Sequence, residues 1–178
     1  MVNIKNVIDK YRILKSMNEV LISNFESFDN EVKSIFESEQ AVEDLVGEKK
    51  ESGEIFEEDV FGTFKISEGM RKTMLLEYKS ISKACHPDSS GTQVLNIFFI
   101  RAADAKKEEN IFEILEISNT IFGKTSFGLS SKDKKNMIEY LEREISSVKS
   151  NRLWSWESMS EEDKKSEVLK TLNIIIKK

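Results

Sequence analysis

Proline, cysteine, histidine and glycine are scarce in this chain. Its 178 residues include one proline, one cysteine, one histidine and seven glycines. A single cysteine cannot form a disulfide within the chain, which excludes a small scaffold held together by disulfides and favours a reducing compartment. So few prolines and glycines leave few points at which a helix must end. We therefore expect an all-α protein in the cytoplasm.

Long apolar runs and a broad basic surface are also lacking. The longest apolar runs, 97–100 and 174–176, are far shorter than the roughly 20 residues that span a bilayer. Residues 1–5 are followed by charged residues rather than by an apolar stretch with a cleavage site, so we expect no signal peptide. The net charge is −5, and residues 1–66 carry 8 Lys and Arg against 15 Asp and Glu. We expect neither a membrane nor a nucleic acid as partner.

Residues 4–46 contain no glycine or proline and carry a long apolar repeat. Its positions follow one another mostly at steps of three and four, with Asn18 and Glu39 as polar interruptions. The repeat consists of Val7, Tyr11, Leu14, Leu21, Phe25, Phe28, Val32, Ile35, Val42 and Val46. This pattern predicts a long helical arm over 1–50. The arm either forms a coiled coil, as a hairpin or with a second copy in a homodimer, or packs on the rest of the same chain. In the second case it is one long helix or two helices broken near 27–30.

The rest of the chain divides at its glycines and helix-capping residues. Residues 51–66 are predicted to form an acidic linker or a short helix. Ser67, Thr92 and Ser160 are expected to cap helices at their start, and Gly123 is expected to end one. These signals predict five helices, at 67–85, 93–107, 111–122, 131–149 and 160–176. We group 67–123 as one domain and 124–178 as C-terminal helices that pack on it.

The most informative residues are His86, Pro87 and Asp88, which lie between two predicted helices. Proline disfavours the helical conformation in the residue before it, so the preceding helix should stop at His86. The imidazole would then lie at the helix end, and the aspartate would project from a tight turn. Both side chains would be available to a partner.

The helix before this loop has two distinct faces. An apolar stripe contains Met70, Met74, Tyr78, Ile81 and Cys85. Lys72, Lys79 and Lys83 are seven and four residues apart, which places them together on the opposite side at about 100° per residue. Here the three are called the lysine row. The next helix supplies a facing apolar side of Val94, Phe98, Ala102 and Ala105.

These features resemble a J domain. Segment 78–88 is similar to the second helix and loop of that family, and 99–105 is similar to the start of its third helix. The resemblance implies an antiparallel helix pair that presents the loop and the lysine row to the ATPase domain of a DnaK-type chaperone. His86, Pro87 and Asp88 would be the essential loop, and Lys72, Lys79 and Lys83 the docking face. The protein would be a minimal DnaJ-like co-chaperone without Gly/Phe-rich or zinc regions.

Other functions are less well supported by the residues. Cys85 and His86 are adjacent at a helix end and lack a third orienting group, so we expect no enzymatic activity. One cysteine and one histidine are too few for a structural zinc site, and we expect no cofactor or metal. Trp154 and Trp156 either anchor a partner or, as we favour, hold the C-terminal helix to a core. The alternative function is a structural or adaptor protein with a J-like fold, including a viral or phage accessory protein.

Overall fold

The computed structural model describes residues 3–43, 64–86 and 93–176. All regular elements in these ranges are helical, which confirms the predicted all-α class. The α-helices are α1 (Ile4–Glu43), α2 (Glu68–Cys85), α3 (Gln93–Lys107), α4 (Ile111–Phe122), α5 (Ser131–Ser150) and α6 (Glu161–Ile176). A short 3-10 turn, Trp156–Ser158, precedes α6. Most of the predicted linker, 51–66, lies outside the described residues.

Local capping explains where several helices begin and end. Ser67 Oγ accepts a hydrogen bond from the Met70 N–H at 3.1 Å, so it caps α2 as predicted. Ser160 Oγ accepts from the Asp163 N–H at 3.1 Å and starts α6 in the same way. Gly123 ends α4 with a φ of 61°, a left-handed conformation that costs little for glycine. The predicted cap Thr92 lies outside the described ranges.

The chain divides into two compact units that each combine distant segments. The first comprises Met1–Lys15 and Thr63–Ile145, and the second comprises Ser16–Gly62 and Ser146–Lys178. In the first unit, α2, α3 and α4 pack on one another. The predicted apolar stripe of α2 is largely confirmed, since Met70, Met74, Ile81 and Cys85 are buried. On α3, Ala102 and Ala105 are buried, whereas the side chain of Val94 is not described.

Helices α2 and α3 form an antiparallel hairpin. Arg71 near the start of α2 pairs with Glu109 just after α3, with 2.7 Å between their charged groups. In the middle of α2, Lys106 Nζ lies 4.7 Å from the centre of the Tyr78 ring. At the end of α2, His86 contacts Phe99, near the start of α3. The order of these contacts reverses along the two helices, so the hairpin puts the end of α2 beside the beginning of α3.

A charged network joins α1, α3 and α4 within the first unit. The buried Glu113 carboxylate accepts hydrogen bonds from Arg101 Nη2 at 2.6 Å and from Tyr11 Oη at 2.9 Å. Lys15 Nζ lies 3.3 Å from the same group. Burial opposes ionisation of the Glu113 carboxyl group. The hydrogen bond and positive charge of Arg101, the hydrogen bond from Tyr11 and the charge of Lys15 favour ionisation, and together they outweigh burial. The pKa of Glu113 is therefore held below its ordinary value of 4.5.

This lowered pKa predicts acid sensitivity. The unfolded chain takes up a proton on Glu113 near its ordinary pKa, whereas the folded chain does so only at lower pH. The contribution of ionised Glu113 to the free energy of unfolding is therefore fully present above about pH 5. It is lost as the pH falls through the lowered pKa of Glu113. Glu113→Gln should reduce the free energy of unfolding at pH 7 by roughly 1–3 kcal/mol and flatten its dependence on pH below 5.

Urea denaturation at several pH values measures both effects. Glu142→Gln is the control, because Glu142 pairs with Lys10 at 3.0 Å in a more exposed position. That variant should change stability by less than about 1 kcal/mol. Equal stability and equal pH dependence for Glu113→Gln and wild type would contradict a stabilising role for the network.

The second unit is held by contacts between α1 and the segment before α6. Asn24 is buried, and its Nδ2 donates to the carbonyl oxygens of Leu153 at 2.7 Å and Trp154 at 3.1 Å. The buried Trp156 ring meets Phe28 edge to face, with ring centres 5.1 Å apart. Lys164 of α6 lies 5.8 Å from the centre of the Trp156 ring. Trp156 therefore takes part in a core, as we favoured, whereas Trp154 is half-buried.

The apolar repeat of α1 is buried or half-buried within the single chain wherever its side chains are described. Val7, Leu14, Leu21 and Phe28 are buried, and Tyr11, Phe25, Val32 and Ile35 are half-buried. The side chain of Val42 is not described, and Val46 lies outside the described residues. A homodimer through this arm stays a prediction. We propose that the arm folds back on its own chain, because the buried residues of the repeat favour this arrangement.

Candidate partner-binding site

The lysine row lies on the exposed side of α2. Lys72, Lys79 and Lys83 are all exposed, on the side opposite the buried Met74 and Ile81. Lys72 Nζ is 3.5 Å from Glu68 Oε1 one turn earlier, in a pair whose side chains are both highly exposed. Such a pair contributes little to stability and does not prevent an incoming carboxylate from binding the lysine. The row therefore presents positive charge to the solvent.

His86 stands at the end of this row. It follows the last residue of α2 with φ −59° and ψ 135°, an extended conformation that agrees with the effect expected of Pro87. Its N–H still donates to the Ser82 carbonyl oxygen at 3.0 Å, which ties it to the last turn. The side chain is exposed, and its ring meets Phe99 edge to face at 5.3 Å between ring centres. The hairpin thus orients the imidazole from both of its helices.

The three lysines and His86 are brought together on one helix, as the sequence predicted. Pro87 and Asp88 lie outside the described residues, so their positions stay predictions. The structure therefore describes four of the six residues that the sequence assigns to the site. The exposed part of that site is a basic helix face that leads to an imidazole, which suits an acidic partner.

Glu77 supports α2 from its buried side and was missed by sequence reasoning. Its carboxylate accepts a hydrogen bond from Ser118 Oγ at 2.7 Å and forms an ion pair with Lys124. The signal in the sequence is its spacing, because Glu77 follows Met74 by three residues and precedes Ile81 by four. An acid on an apolar stripe needs a buried partner. Glu77 therefore fixes the rotation of α2 and keeps the lysine row outward.

Leu75 and Leu76 were also missed, although they adjoin the lysine row. Both are exposed, and Leu76 is among the most exposed large apolar residues of the described chain. Sequence reasoning treated the outer face of α2 as basic and did not ask which residues separate the lysines. The outer face is in fact both basic and apolar.

The structure also bears on the alternative chemistries. Cys85 is fully buried, and burial raises the pKa of its thiol, which opposes formation of the reactive thiolate. The described part of the chain holds no group of three or more His, Cys, Asp or Glu side chains able to hold a metal ion. In the same residues, the helices are too short or too polar to cross a membrane.

Comparison of the chain with models of protein families, with curated proteins and with solved structures finds no match.

Proposed function

We propose that this protein is a J-domain co-chaperone that stimulates ATP hydrolysis by a DnaK-type chaperone. In this proposal, His86, Pro87 and Asp88 act on the ATPase domain, and Lys72, Lys79 and Lys83 dock the protein on an acidic surface of the chaperone. The protein works in the cytoplasm and needs no cofactor of its own.

One observation carries the proposal: an exposed lysine row on α2 leads directly to an exposed histidine at the helix end. The buried stripe of α2 and the Glu77 contacts hold that face outward. The contact with Phe99 adds support from α3. A rigid helix hairpin can present such groups with little loss of entropy on binding, and the lysines attract an acidic surface over distance.

The lysine row should control how fast the two proteins associate. Lys79→Glu should lower the association rate with an ATP-bound DnaK-type chaperone by a factor of about 3 to 10 at low salt, because it reverses the charge at the middle of the row. Stopped-flow fluorescence with a labelled chaperone measures this rate. For wild type the rate should fall with salt, since the screening length decreases from about 10 Å at 0.1 M to 3 Å at 1 M.

Lys165→Glu is the matched control, because Lys165 is exposed on α6 and belongs to the other unit. It makes the same charge change and should leave the association rate nearly unchanged. If both variants slow association equally, only the net charge matters and the lysine row has no special role. If wild type does not bind the chaperone at all, the proposed function is wrong.

A further inference from the structure

Two leucines on the outer side of α2 have exposed side chains. Leu75 is 38 % exposed and Leu76 is 63 % exposed. The core of the unit is made instead by the opposite stripe, in which Met70, Met74 and Ile81 are at most 2 % exposed. Leu76 therefore lies outside this buried stripe, and its side chain is available to a partner.

The leucines lie among the lysines of the row. Leu76 follows Lys72 by four residues, precedes Lys79 by three and precedes Lys83 by seven. At about 100° per residue, these separations put Leu76 within about 60° of each lysine around the helix axis. Leu75 lies about 60° from Lys72 on the other side. The outer face of α2 is thus a band of lysines with a leucine at each edge.

The neighbouring residues on α2 leave the Leu76 side chain 63 % exposed. The Ser80 hydroxyl, one turn later, donates to the Leu76 backbone carbonyl oxygen at 3.1 Å. It is therefore not directed at the Leu76 side chain. The methylene groups of the lysines add apolar surface between the leucines, while their ammonium groups remain in water. The result is a positive band bordered on each side by an apolar side chain.

We infer that Leu75 and Leu76 dock, together with the lysine row, on a strip of carboxylates bordered by an apolar depression on the ATPase domain of the chaperone. This inference rests on the proposed function and specifies the chemistry of the partner surface. The carboxylates follow from charge complementarity with Lys72, Lys79 and Lys83, and the depression follows from the apolar area of Leu76. A purely acidic, flat surface would bind the lysines but would leave the leucines in water.

The two parts of this surface respond differently to salt. The attraction of the lysines weakens as salt screens it, whereas burial of the leucines does not depend on screening. Wild type should therefore keep measurable affinity for the chaperone at 1 M salt. That remaining affinity should depend on Leu76, and it should hardly change in Lys79→Glu.

Leu76→Gln tests the inference by titration calorimetry with the ATP-bound chaperone at 0.1 M and 1 M salt. Removing a side chain of this size from an apolar contact should weaken binding about tenfold at both salt concentrations. Leu169→Gln is the matched control, because Leu169 is 49 % exposed on α6 in the other unit. It should bind like wild type. Both variants should keep wild-type helicity and melting temperature, since both leucines are largely exposed.

The outcomes separate this inference from the proposed function. If wild type and Leu76→Gln bind and stimulate equally, the leucine contact is wrong and the co-chaperone function stands. If wild type binds, Leu76→Gln binds weakly, and neither stimulates hydrolysis, the docking surface stands and the function is wrong. Failure of wild type to bind the chaperone, together with Leu76-dependent binding to vesicles of phosphatidylserine and phosphatidylcholine, would overturn both in favour of a lipid surface.

Discussion

His86→Gln should reduce the stimulation of ATP hydrolysis at least about tenfold, the effect of losing a hot-spot contact. The histidine side chain is exposed at the end of α2, so its removal takes away a group that a partner can reach. Glutamine keeps the backbone N–H that donates to Ser82 and leaves the buried stripe intact. Helicity and the melting temperature should therefore match those of wild type. Single-turnover hydrolysis and circular dichroism measure the two properties.

Asp88→Asn is the companion variant, because it tests the other polar residue of the predicted loop with a side chain of nearly the same size. It should lose stimulation as His86→Gln does. Lys165→Glu serves again as the control and should stimulate like wild type. Equal stimulation by wild type, His86→Gln and Asp88→Asn would remove the loop from the mechanism.

Trp156→Ala should have the largest effect on stability, reducing the free energy of unfolding by about 3–5 kcal/mol. The ring is 2 % exposed and packs on Phe28, and alanine would leave a large cavity there. Urea denaturation followed by circular dichroism measures the loss.

Trp154→Ala is the matched control for this variant. Trp154 is half-buried, and the contact with Asn24 uses its backbone carbonyl, which alanine retains. Trp154→Ala should therefore reduce the free energy of unfolding clearly less than Trp156→Ala does. If the two substitutions cost the same small amount, Trp156 is not a core residue of the second unit.

The helices and their ends could be predicted because their signals are local. Ser67 and Ser160 accept hydrogen bonds from residues three positions later, and Gly123 adopts its left-handed conformation without help from distant residues. The apolar stripe of α2 follows from a single helical period. Such features depend on residues within one or two turns, which a sequence displays directly.

The charged networks could not be predicted, because their partners are far apart in the sequence. Glu113 receives its hydrogen bonds from Arg101 on the preceding helix and from Tyr11, 102 residues earlier. Glu77 likewise depends on Ser118 and Lys124. A single sequence shows an acid near apolar positions but does not show which base reaches it.

The repeat of α1 illustrates a different limit of the sequence. Apolar residues at steps of three and four are needed for a coiled coil, and they are needed equally for a helix that packs on its own chain. The burial of Leu14 and Leu21 within one chain favours the second arrangement. Only the contacts of the folded chain distinguish these two uses of one pattern.

The candidate site could be predicted from the sequence only in part. The spacing of Lys72, Lys79 and Lys83 indicates a shared face, and Pro87 indicates that the helix ends at His86. Leucines usually lie inside, so the sequence does not indicate that Leu75 and Leu76 are exposed. Their exposure follows from the rotation of α2, which depends on the contacts of its buried side.

Single-turnover hydrolysis of ATP by a DnaK-type chaperone, with and without this protein, tests the central claim most directly. Pre-formed chaperone–ATP complex is mixed with increasing concentrations of the protein, and the rate of phosphate formation is followed. A rate that rises with concentration to a plateau, and that stays at the basal value with His86→Gln, is the result that the co-chaperone function predicts. A rate that remains basal at concentrations of wild type that saturate binding would contradict it.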